Sequence, residues 1–481
     1  MNIAKQEAYL KDWQGQAECA ERMLPIIGRL YRENNIVTTV YGRTLVNCPT
    51  IEVLKAHRFA RLILDSELTV LETFPVIEAL AKLDLAPARI DIGRLTVRYL
   101  AQVGTLDVNQ FVLQELASVN TGRTPLLSEP QDIVLYGFGR IGRLLARILI
   151  EKSGSGEKLR LRAAVVRKGS EDDLIKRASL LRRDSVHGPF NGIITIDEEE
   201  NAIIANGNMI RIIYADSPEK VDYTQYGIHN AILIDNTGKW RDREGLSRHL
   251  KAPGISQVLL TAPGKGDIPN VVSGVNNELI VGPENIFSAA SCTTNAIVPV
   301  LKVLNDEFGI VSGHVESCHS YTNDQNLIDN YHKADRRGRS APLNMVITET
   351  GAAKAVAKVL PELSGKLTGN AIRVPTPNVS LAILNLQLGR ETEVAELNSH
   401  LRSVSLDSPL QNQIDFTNSP DVVSSDFVGS RHAGVVDSLA TIVQKNRCVV
   451  YVWYDNEFGY SCQVVRMVQR MAGLELPSLP A

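Results

Sequence analysis

The feature that most constrains the fold is a glycine-rich turn between a short apolar run and an amphipathic segment. The apolar run IVLY, residues 133–136, is followed directly by GFGRIGR, in which Gly137, Gly139 and Gly142 have G-x-G-x-x-G spacing. These glycines allow a tight turn, a close approach of the backbone to a pyrophosphate, and close packing of helix on strand. The start of the following helix offers free N–H groups to the phosphates. The motif therefore predicts a dinucleotide site.

Two halves of the chain have different patterns. Residues 1 to about 120 have apolar residues at three- and four-residue spacing, which predicts helices, and the turn-rich segment 120–131 marks a domain boundary. Beyond it, short apolar runs alternate with amphipathic segments, and this alternation predicts a mostly parallel sheet. The runs are IVLY at 133–136, AAVV at 163–166, AILI at 231–234 and QVLL at 257–260.

Composition limits the partners and the compartment. The 481 residues carry 51 Lys and Arg against 54 Asp and Glu, so there is no excess positive charge for nucleic acid or an anionic membrane. The first residues lack the basic start and apolar core of a signal peptide, and we expect a cytoplasmic protein. Six irregularly spaced cysteines predict reduced thiols and no metal site. A small polar or anionic metabolite is the expected ligand.

The end of the second predicted strand bears on the choice of cofactor. An Asp or Glu there would bind the ribose 2′-hydroxyl of NAD, but LRAAVV ends in Arg167 and Lys168. Two cations suit the 2′-phosphate of NADP, so NADP is slightly favoured over NAD. In the alternative, both are solvated loop charges, and Glu171, Asp172 or Asp173 reaches the ribose.

A cysteine and a histidine form the candidate catalytic pair. A helix predicted over residues 295–305 places Cys292 of SCTTN at its amino-terminal end, where the dipole lowers a thiol pKa. An intervening strand can bring His319 beside it, where an imidazole favours the thiolate and moves protons. Strand alternation turns the neighbouring Cys318 to the opposite face. The alternative is that Cys292 is a small hydrophobic residue of the core.

Five segments together carry a family resemblance. ASCTTNAIVPVL, HSYT, TGAAKAVAKVLPELSGKLTG, RVPTPNVS and WYDNEFGYS resemble phosphorylating glyceraldehyde-3-phosphate dehydrogenases, in the same order, between residues 131 and 476. The resemblance implies an α/β fold and a homotetramer. It implies a Rossmann domain over residues 131–291, completed by a helix at 457–476, and an α+β catalytic domain with a mixed sheet over 292–456. An all-α extension, residues 1–125, precedes them and lies outside the resemblance.

The resemblance also implies roles for single residues. Cys292 attacks the aldehyde, His319 takes the proton as hydride leaves for the nicotinamide, and inorganic phosphate attacks the resulting thioester. The two phosphate groups are held by Ser291, Thr293, Thr322, Arg337, Thr350, Gly351 and Arg373. The cofactor-binding residues are Gly137, Gly139, Arg140, Ile141, Gly142, Arg167, Thr237, Thr261, Asn456 and Tyr460. No metal ligand is implied.

The sequence departs from familiar glycolytic members near the substrate phosphate. Asp324 stands where those members have a threonine, and the following loop is one residue shorter, with Tyr331 where a proline is often found. Such loops are similar to those of photosynthetic and gluconeogenic members, which tend to use NADPH. Together with Arg167, this favours the reductive, biosynthetic direction.

Two other functions stay open at this point. One is erythrose-4-phosphate dehydrogenase, a related enzyme for another phosphorylated aldehyde. The other is a binding or regulatory protein that keeps the dehydrogenase fold. For residues 1–130 we expect oligomer contacts or packing against the enzyme body, ahead of a regulatory lid or partner-binding module, with a separate activity the least favoured.

Overall fold

The chain divides into two compact units. The computed structural model describes residues 3–64, 66–102, 106–153, 158–349 and 351–480. The smaller unit comprises Met1–Pro130, Gly154–Lys158 and Gly473–Ala481, and the larger comprises Gln131–Ser153 and Leu159–Ala472. Within the described residues, no helix is both long and apolar enough to cross a membrane. The end of the chain thus belongs to the same unit as its beginning.

The smaller unit is mostly helical but contains a sheet. Its helices are α1 (Ile3–Asn34), α2 (Thr50–Phe59), α3 (Arg61–Leu64), α4 (Val70–Leu80), α5 (Ile92–Leu100) and α6 (Val108–Glu115). Its strands are β1 (Ile36–Val40), β2 (Arg43–Thr44) and β3 (Ala88–Asp91), and Ser478–Leu479 pairs with β3 in parallel. The sheet order is 478–479, β3, β1, β2.

The prediction of an all-α extension is therefore wrong. Strands of two to five residues are too short to show a period of two, and one of the four comes from residues more than 350 positions away along the chain. The core of this unit is apolar and includes Met23, Ile27, Ile36, Ile77 and Ile90, all with exposed fractions of 2% or less.

The first part of the larger unit is the predicted nucleotide-binding fold. Its strands are β4 (Gln131–Tyr136), β5 (Leu159–Val166), β6 (Ile194–Asp197), β7 (Ala202–Ala205), β8 (Asn208–Tyr214), β9 (Ala231–Asp235), β10 (Ile255–Leu260) and β11 (Ile286–Ser288). The helices are α7 (Arg140–Lys152), α8 (Asp173–Arg182) and α9 (Arg243–Leu250). The sheet order is β11-β10-β9-β4-β5-β8-β7-β6, parallel from β11 to β8 and antiparallel beyond. The predicted Rossmann domain is confirmed.

The second part is built on the predicted mixed sheet. Its strands are β12 (Ile310–Ser320), β13 (Val346–Glu349), β14 (Leu367–Val374), β15 (Ser380–Leu388), β16 (Ile414–Thr417), β17 (Gly434–Gln444) and β18 (Arg447–Tyr454). The helices are α10 (Cys292–Phe308), α11 (Ala352–Val359) and α12 (Val394–Leu406), while the last helix, α13 (Phe458–Met471), packs mainly against α7 of the first part. The order is β13-β14-β12-β15-β18-β17-β16, with β12–β14 and β16–β17 parallel. The α+β prediction is confirmed.

Helix α10 positions the candidate nucleophile. Its apolar residues, including Ile297, Val300, Leu301 and Leu304, are fully buried in the core of the catalytic part. The helix is three residues longer at each end than the predicted span 295–305, and Cys292 is its first residue. A rigid, buried helix therefore holds this cysteine at its amino terminus.

Candidate active site

The structure brings the predicted cysteine and histidine together. Cys292 Sγ lies 3.4 Å from His319 Nε2. Ser291 caps α10, because its hydroxyl accepts a hydrogen bond of 3.1 Å from the Thr294 N–H. His319 lies near the end of β12 and is only 7% exposed. A helix start and a strand end thus set the separation of the two groups.

The imidazole is oriented to accept a proton from the thiol. His319 Nδ1 lies 2.7 Å from the Ser320 carbonyl oxygen and 3.1 Å from Arg373 Nη1. We assign the ring hydrogen to Nδ1, toward the shorter contact, which leaves the Nε2 lone pair facing Sγ. Burial, and then the positive charge of Arg373, lower the pKa of His319 to about 4. The neutral imidazole is therefore the form present at neutral pH.

The thiol differs from the sequence-based expectation. Burial raises the pKa of Cys292, and the nearby charge of Arg373 and hydrogen bonds from Thr293 only partly oppose this effect. The predicted lowering of the thiol pKa by the helix start is thus outweighed, because Cys292 packs against the apolar core. A neutral thiol facing a neutral imidazole can still lose its proton as the sulfur attacks a substrate.

A buried hydroxyl chain lies behind the pair. Thr293 Oγ1 lies 3.0 Å from the Tyr454 hydroxyl, which lies 2.8 Å from Ser317 Oγ. Tyr454 is 1% exposed, and its ring meets that of His319 edge-on at 6.1 Å between centroids. Burial raises the pKa of Tyr454 well above its usual value. Sequence reasoning missed Tyr454 as a site residue, although it belongs to the WYDNEFGYS segment.

Three of the predicted phosphate-binding residues, Thr322, Arg337 and Arg373, converge around a carboxylate. Arg373 Nη1 donates to Thr322 Oγ1 at 3.2 Å, and Asp324 accepts hydrogen bonds from both Thr322 and Arg337. Burial raises the pKa of Asp324, but the Thr322 hydroxyl and the charges of Arg373 and Arg337 outweigh it and leave the pKa below its usual value. Gly351 precedes α11 as its cap, and Thr350 lies outside the described residues. The carboxylate of Asp324 therefore lies where the donor groups of Thr322 and Arg337 meet.

A second polar chain runs from the catalytic strand to Asn456. The Ser320 N–H donates to Ser380 Oγ at 3.1 Å, and Ser380 Oγ donates to Asn456 Oδ1 at 2.9 Å. This fixes the amide so that its NH₂ group is left to donate. Tyr460 instead donates its hydroxyl to the Ala290 carbonyl at 3.1 Å, and Ala290 has a φ of 53°, which is uncommon for a residue with a side chain. Neither Ser380 nor Ala290 was among the predicted site residues, although Ser380 ends the RVPTPNVS segment and Ala290 begins ASCTTNAIVPVL.

A cavity of about 540 Å³ lies at the carboxyl ends of β4, β5 and β9. Gly137 has a φ of 100°, and a Cβ on Gly142 would lie 2.5 Å from the Gly137 carbonyl oxygen, so both positions need glycine. Gly139 caps α7, whose free N–H groups suit a pyrophosphate. The lining residues are Tyr136, Gly137, Phe138, Gly139, Val165, Val166, Arg167, Arg177, Ala215, Asp216, Thr237, Lys239 and Trp240. The cavity fits the adenosine half of a dinucleotide.

Only some predicted cofactor residues line this cavity. Gly137, Gly139, Arg167 and Thr237 do. Thr261 donates its hydroxyl to the Asp235 carbonyl at 3.1 Å. The other predicted residues, Arg140, Ile141, Gly142, Asn456 and Tyr460, lie outside the lining as well. None of the alternative ribose ligands, Glu171, Asp172 and Asp173, lines it.

Arg140 belongs to a charged network between the two parts of the larger unit. Its guanidinium donates to Glu457 at 2.6 Å and to Asp184 at 2.7 Å. His187 Nε2 lies 3.1 Å from Asp455 Oδ2, and Asp455 Oδ1 accepts the N–H groups of Glu457 and Phe458 at the start of α13. Burial raises the pKa of Asp455, but His187 and backbone N–H groups outweigh it and lower the net value. The network joins the glycine-rich turn to the residue before Asn456.

Comparisons with known proteins agree with this geometry. Residues 131–243 match the family model "Glyceraldehyde 3-phosphate dehydrogenase, NAD binding domain", and residues 291–456 match the corresponding C-terminal domain. A glyceraldehyde-3-phosphate dehydrogenase-like protein of Pseudomonas aeruginosa (strain UCBPP-PA14) is 63% identical over 460 residues, 95% of this chain and 100% of that protein. A match over 460 of the 481 residues extends well beyond the part that follows residue 130, so it includes most of the extension.

Two further relatives match a shorter part of the chain. Glyceraldehyde-3-phosphate dehydrogenase 2 of Trichormus variabilis is 40% identical over 342 residues, 71% of this chain and 98% of that protein. Glyceraldehyde-3-phosphate dehydrogenase GAPA1, chloroplastic, of Arabidopsis thaliana is 42% identical over 341 residues, 71% of this chain and 83% of that protein.

Proposed function

The chain belongs to the glyceraldehyde-3-phosphate dehydrogenase family, and we propose that it reversibly oxidises glyceraldehyde 3-phosphate, with inorganic phosphate and NAD(P), to 1,3-bisphosphoglycerate. The observation that carries the proposal is the 3.4 Å separation of Cys292 Sγ from His319 Nε2 at the start of a buried helix. This is the arrangement of an activated nucleophile and its base.

The chemistry proceeds through a thioester on Cys292. The sulfur attacks the aldehyde carbon while His319 Nε2 takes the thiol proton and returns it to the new oxygen. Peptide N–H groups in the first turn of α10 have no partner within the helix and stabilise the negative charge on that oxygen. His319 then takes the hydroxyl proton as the carbon is oxidised. Attack by inorganic phosphate on the thioester carbonyl releases the acyl phosphate and regenerates the sulfur.

The cofactor is held by residues at both ends of its site. Bound NAD(P) supplies the hydride acceptor. The cavity beside Gly137 and Gly139 takes the adenosine half, and the Asn456 amide, oriented by Ser380, donates to the carboxamide. The predicted role of Arg167 is supported by its place in the cavity lining, and this favours NADP and the reductive direction. We also propose a homotetramer, as the family resemblance implies.

The predicted anion sites have chemical support. Thr322 and Arg373 are proposed to hold the substrate phosphate, and the buried Arg373 Nε has no protein partner among the described residues. An unpaired buried donor of this kind suits a phosphate oxygen. The proposed inorganic-phosphate site comprises Ser291, Thr293, Thr350 and Gly351, with Arg337 close to it.

The test is reduced-nicotinamide absorbance with the purified full chain, phosphate, and either glyceraldehyde 3-phosphate or erythrose 4-phosphate, with NAD and NADP in parallel. We expect phosphate-dependent turnover of glyceraldehyde 3-phosphate and a larger kcat/KM with NADP. A larger kcat/KM for erythrose 4-phosphate would mean that this aldehyde, and not glyceraldehyde 3-phosphate, is the preferred substrate. No turnover of either aldehyde would overturn the enzymatic proposal in favour of a binding role.

A further inference from the structure

The adenosine cavity has an excess of positive charge that comes from three separate elements. Arg167 follows β5, Arg177 lies on α8, and Lys239 lies in the loop after β9. The only carboxylate among the residues lining it is Asp216. Cations from distant parts of the sequence converge here, although the sequence-based prediction identified only Arg167 and Lys168.

Arg177 is held in a fixed orientation. Its guanidinium donates to the carboxylate of Asp173 through Nε and Nη2, and Nη2 also donates to the Arg167 carbonyl at 3.0 Å. Asp173 is 5% exposed and also accepts the Gly169 N–H at 3.0 Å. Nη1 of Arg177 has no hydrogen-bond partner within the described ranges. The guanidinium is therefore pre-oriented at low entropic cost and keeps free donor capacity.

The same contacts remove Asp173 from the three alternative ribose ligands. A carboxylate at the end of the second strand would accept the 2′-hydroxyl of NAD, but Asp173 is buried and paired with Arg177. Lys168, which the sequence suggested beside Arg167, lies outside the cavity lining, with its Nζ 5.6 Å from the centroid of the Tyr214 ring. Of the two adjacent cations, Arg167 therefore lines the cavity and Lys168 does not.

We propose that Arg177 and Lys239, together with Arg167, form a subsite for a phosphate monoester on the 2′ position of the adenosine ribose. The inference rests on the proposed use of NAD(P), and it assigns two residues that the glycine-rich motif does not contain. Arg177 supplies a planar donor group held in place by Asp173, and Lys239, whose Nζ lies 4.7 Å from the centroid of the Trp240 ring, supplies a second positive charge from the loop after β9. The positive charges that line the cavity would neutralise a dianionic phosphate bound there.

The test compares two nucleotides that undergo no reaction. Adenosine 2′,5′-bisphosphate and adenosine 5′-monophosphate are titrated into the full chain, with calorimetry or the fluorescence of Trp240, which lines the cavity, as the readout. We expect the bisphosphate to bind at least about tenfold more tightly in the unaltered protein, since charge-assisted hydrogen bonds carry the difference. Arg177→Gln should bring the ratio of the two affinities to near one, and Lys239→Gln should lower it several-fold.

Lys168→Gln is the matched control. It removes one positive charge next to Arg167 but from a side chain outside the cavity, so the affinity ratio should stay within about twofold of that of the unaltered protein. Because Arg177→Gln leaves Asp173 without its partner, Lys239→Gln, which disturbs no ion pair of Asp173, provides an independent variant. Equal affinities for the two nucleotides in the unaltered protein would overturn the proposal.

The outcome is separable from that of the proposed function. If the nucleotides differ as expected but no aldehyde is oxidised, the 2′-phosphate subsite stands and the substrate assignment fails. If glyceraldehyde 3-phosphate is oxidised equally well with NAD and NADP, and the affinity ratio is near one, the enzymatic proposal stands and the subsite is wrong. If the ratio of the two affinities falls equally in Lys168→Gln and Lys239→Gln, the preference arises from a general effect of charge and not from a subsite.

Discussion

The catalytic pair and the adenosine cavity lie in the same unit but are constructed in opposite ways. Cys292 and His319 are two neutral groups in a desolvated setting, and their separation is fixed by a buried helix and a buried strand. The cavity is lined by Arg167 and Lys239, which are exposed, charged and placed on loops. The positions of the two groups therefore determine function at the catalytic pair. The number and placement of charges determine it at the adenosine cavity.

Solvent exposure explains the difference. Desolvation penalises a charged form, so a buried thiol and imidazole stay neutral until a substrate arrives, and the same dry setting strengthens each hydrogen bond to the developing charge. Exposed cations keep their charge but each contributes little alone, because water and salt screen them. Single substitutions should therefore have large effects at the catalytic pair and graded effects elsewhere.

Replacement of the nucleophile should have the largest effect. Cys292→Ser removes the sulfur while it keeps the size of the side chain, and kcat should fall by at least about 10³-fold because the hydroxyl is a much weaker nucleophile. Cofactor affinity, measured by titration, should stay within about twofold, because the adenosine cavity is untouched. Cys318→Ser is the control and should retain activity. Cys318 is next to His319 in the chain but is less buried than His319. Equal losses in both variants would contradict the assignment of Cys292.

Removal of the base should have the next largest effect. His319→Asn deletes the Nε2 that faces Sγ, and kcat should fall by about 10²- to 10³-fold, as is typical for loss of general acid–base catalysis. His314→Asn is the matched control on the same strand, since His314 is partly exposed and bonds Thr368 and Asn370. If steady-state kinetics show the same kcat for His319→Asn as for the unaltered protein, His319 has no catalytic role.

Replacement of Asp324 should have a smaller effect than replacement of Cys292 or His319, and it should strengthen ligand binding instead of weakening activity. It lies between Thr322 and Arg337 as a partly exposed anion, so Asp324→Asn should strengthen the binding of inorganic phosphate by several-fold, about 1 kcal/mol for one screened charge. Calorimetric titration with phosphate measures this. Asp329→Asn is the control, because Asp329 pairs with Arg339 further along the same loop. Weaker phosphate binding in Asp324→Asn would mean that the carboxylate positions Arg337 more than it repels the ligand.

Sequence patterns predicted those parts of the molecule whose chemistry is local. The GFGRIGR turn requires glycine at two positions, because Gly137 has a positive φ and a Cβ on Gly142 would collide with the Gly137 carbonyl oxygen. A requirement of this kind is visible in the sequence. The Cys292 and His319 pair and the parallel sheet were also expected. In each case a short run of residues carries the constraint, whereas the mixed sheet was implied by the family resemblance.

The parts that were missed depend on contacts between distant residues. Ser380 and Asn456 are 76 positions apart, and Tyr460 and Ala290 are 170 apart, so no short pattern reveals either hydrogen bond. The thiol pKa was misjudged for a related reason, since the helix dipole can be predicted from sequence but the extent of burial cannot. The small sheet of the first unit needs residues 478–479, which no pattern in the first 130 residues contains.

The smallest expected effect tests the charged network that joins the two regions. Contacts with His187 and with backbone N–H groups outweigh burial and hold the pKa of Asp455 below its ordinary value, so the group stabilises the fold at any pH above about 4. That stabilisation is lost as pH falls from about 4 through the lowered pKa of the folded protein, where the carboxyl takes up a proton. Asp455→Asn should therefore lower the free energy of unfolding by about 1–3 kcal/mol at pH 7 and by less near pH 3.

Urea denaturation at the two pH values measures this difference, with Asp421→Asn as a control on an exposed loop, where the change should stay within about 0.5 kcal/mol. A deficit in Asp455→Asn that is equal at both pH values would mean that the residue acts by shape and not by charge. The network would then resemble the catalytic pair, where position is decisive, and not the adenosine cavity. A deficit that disappears in acid would show that charge, even when buried, helps to fix the residue beside Asn456.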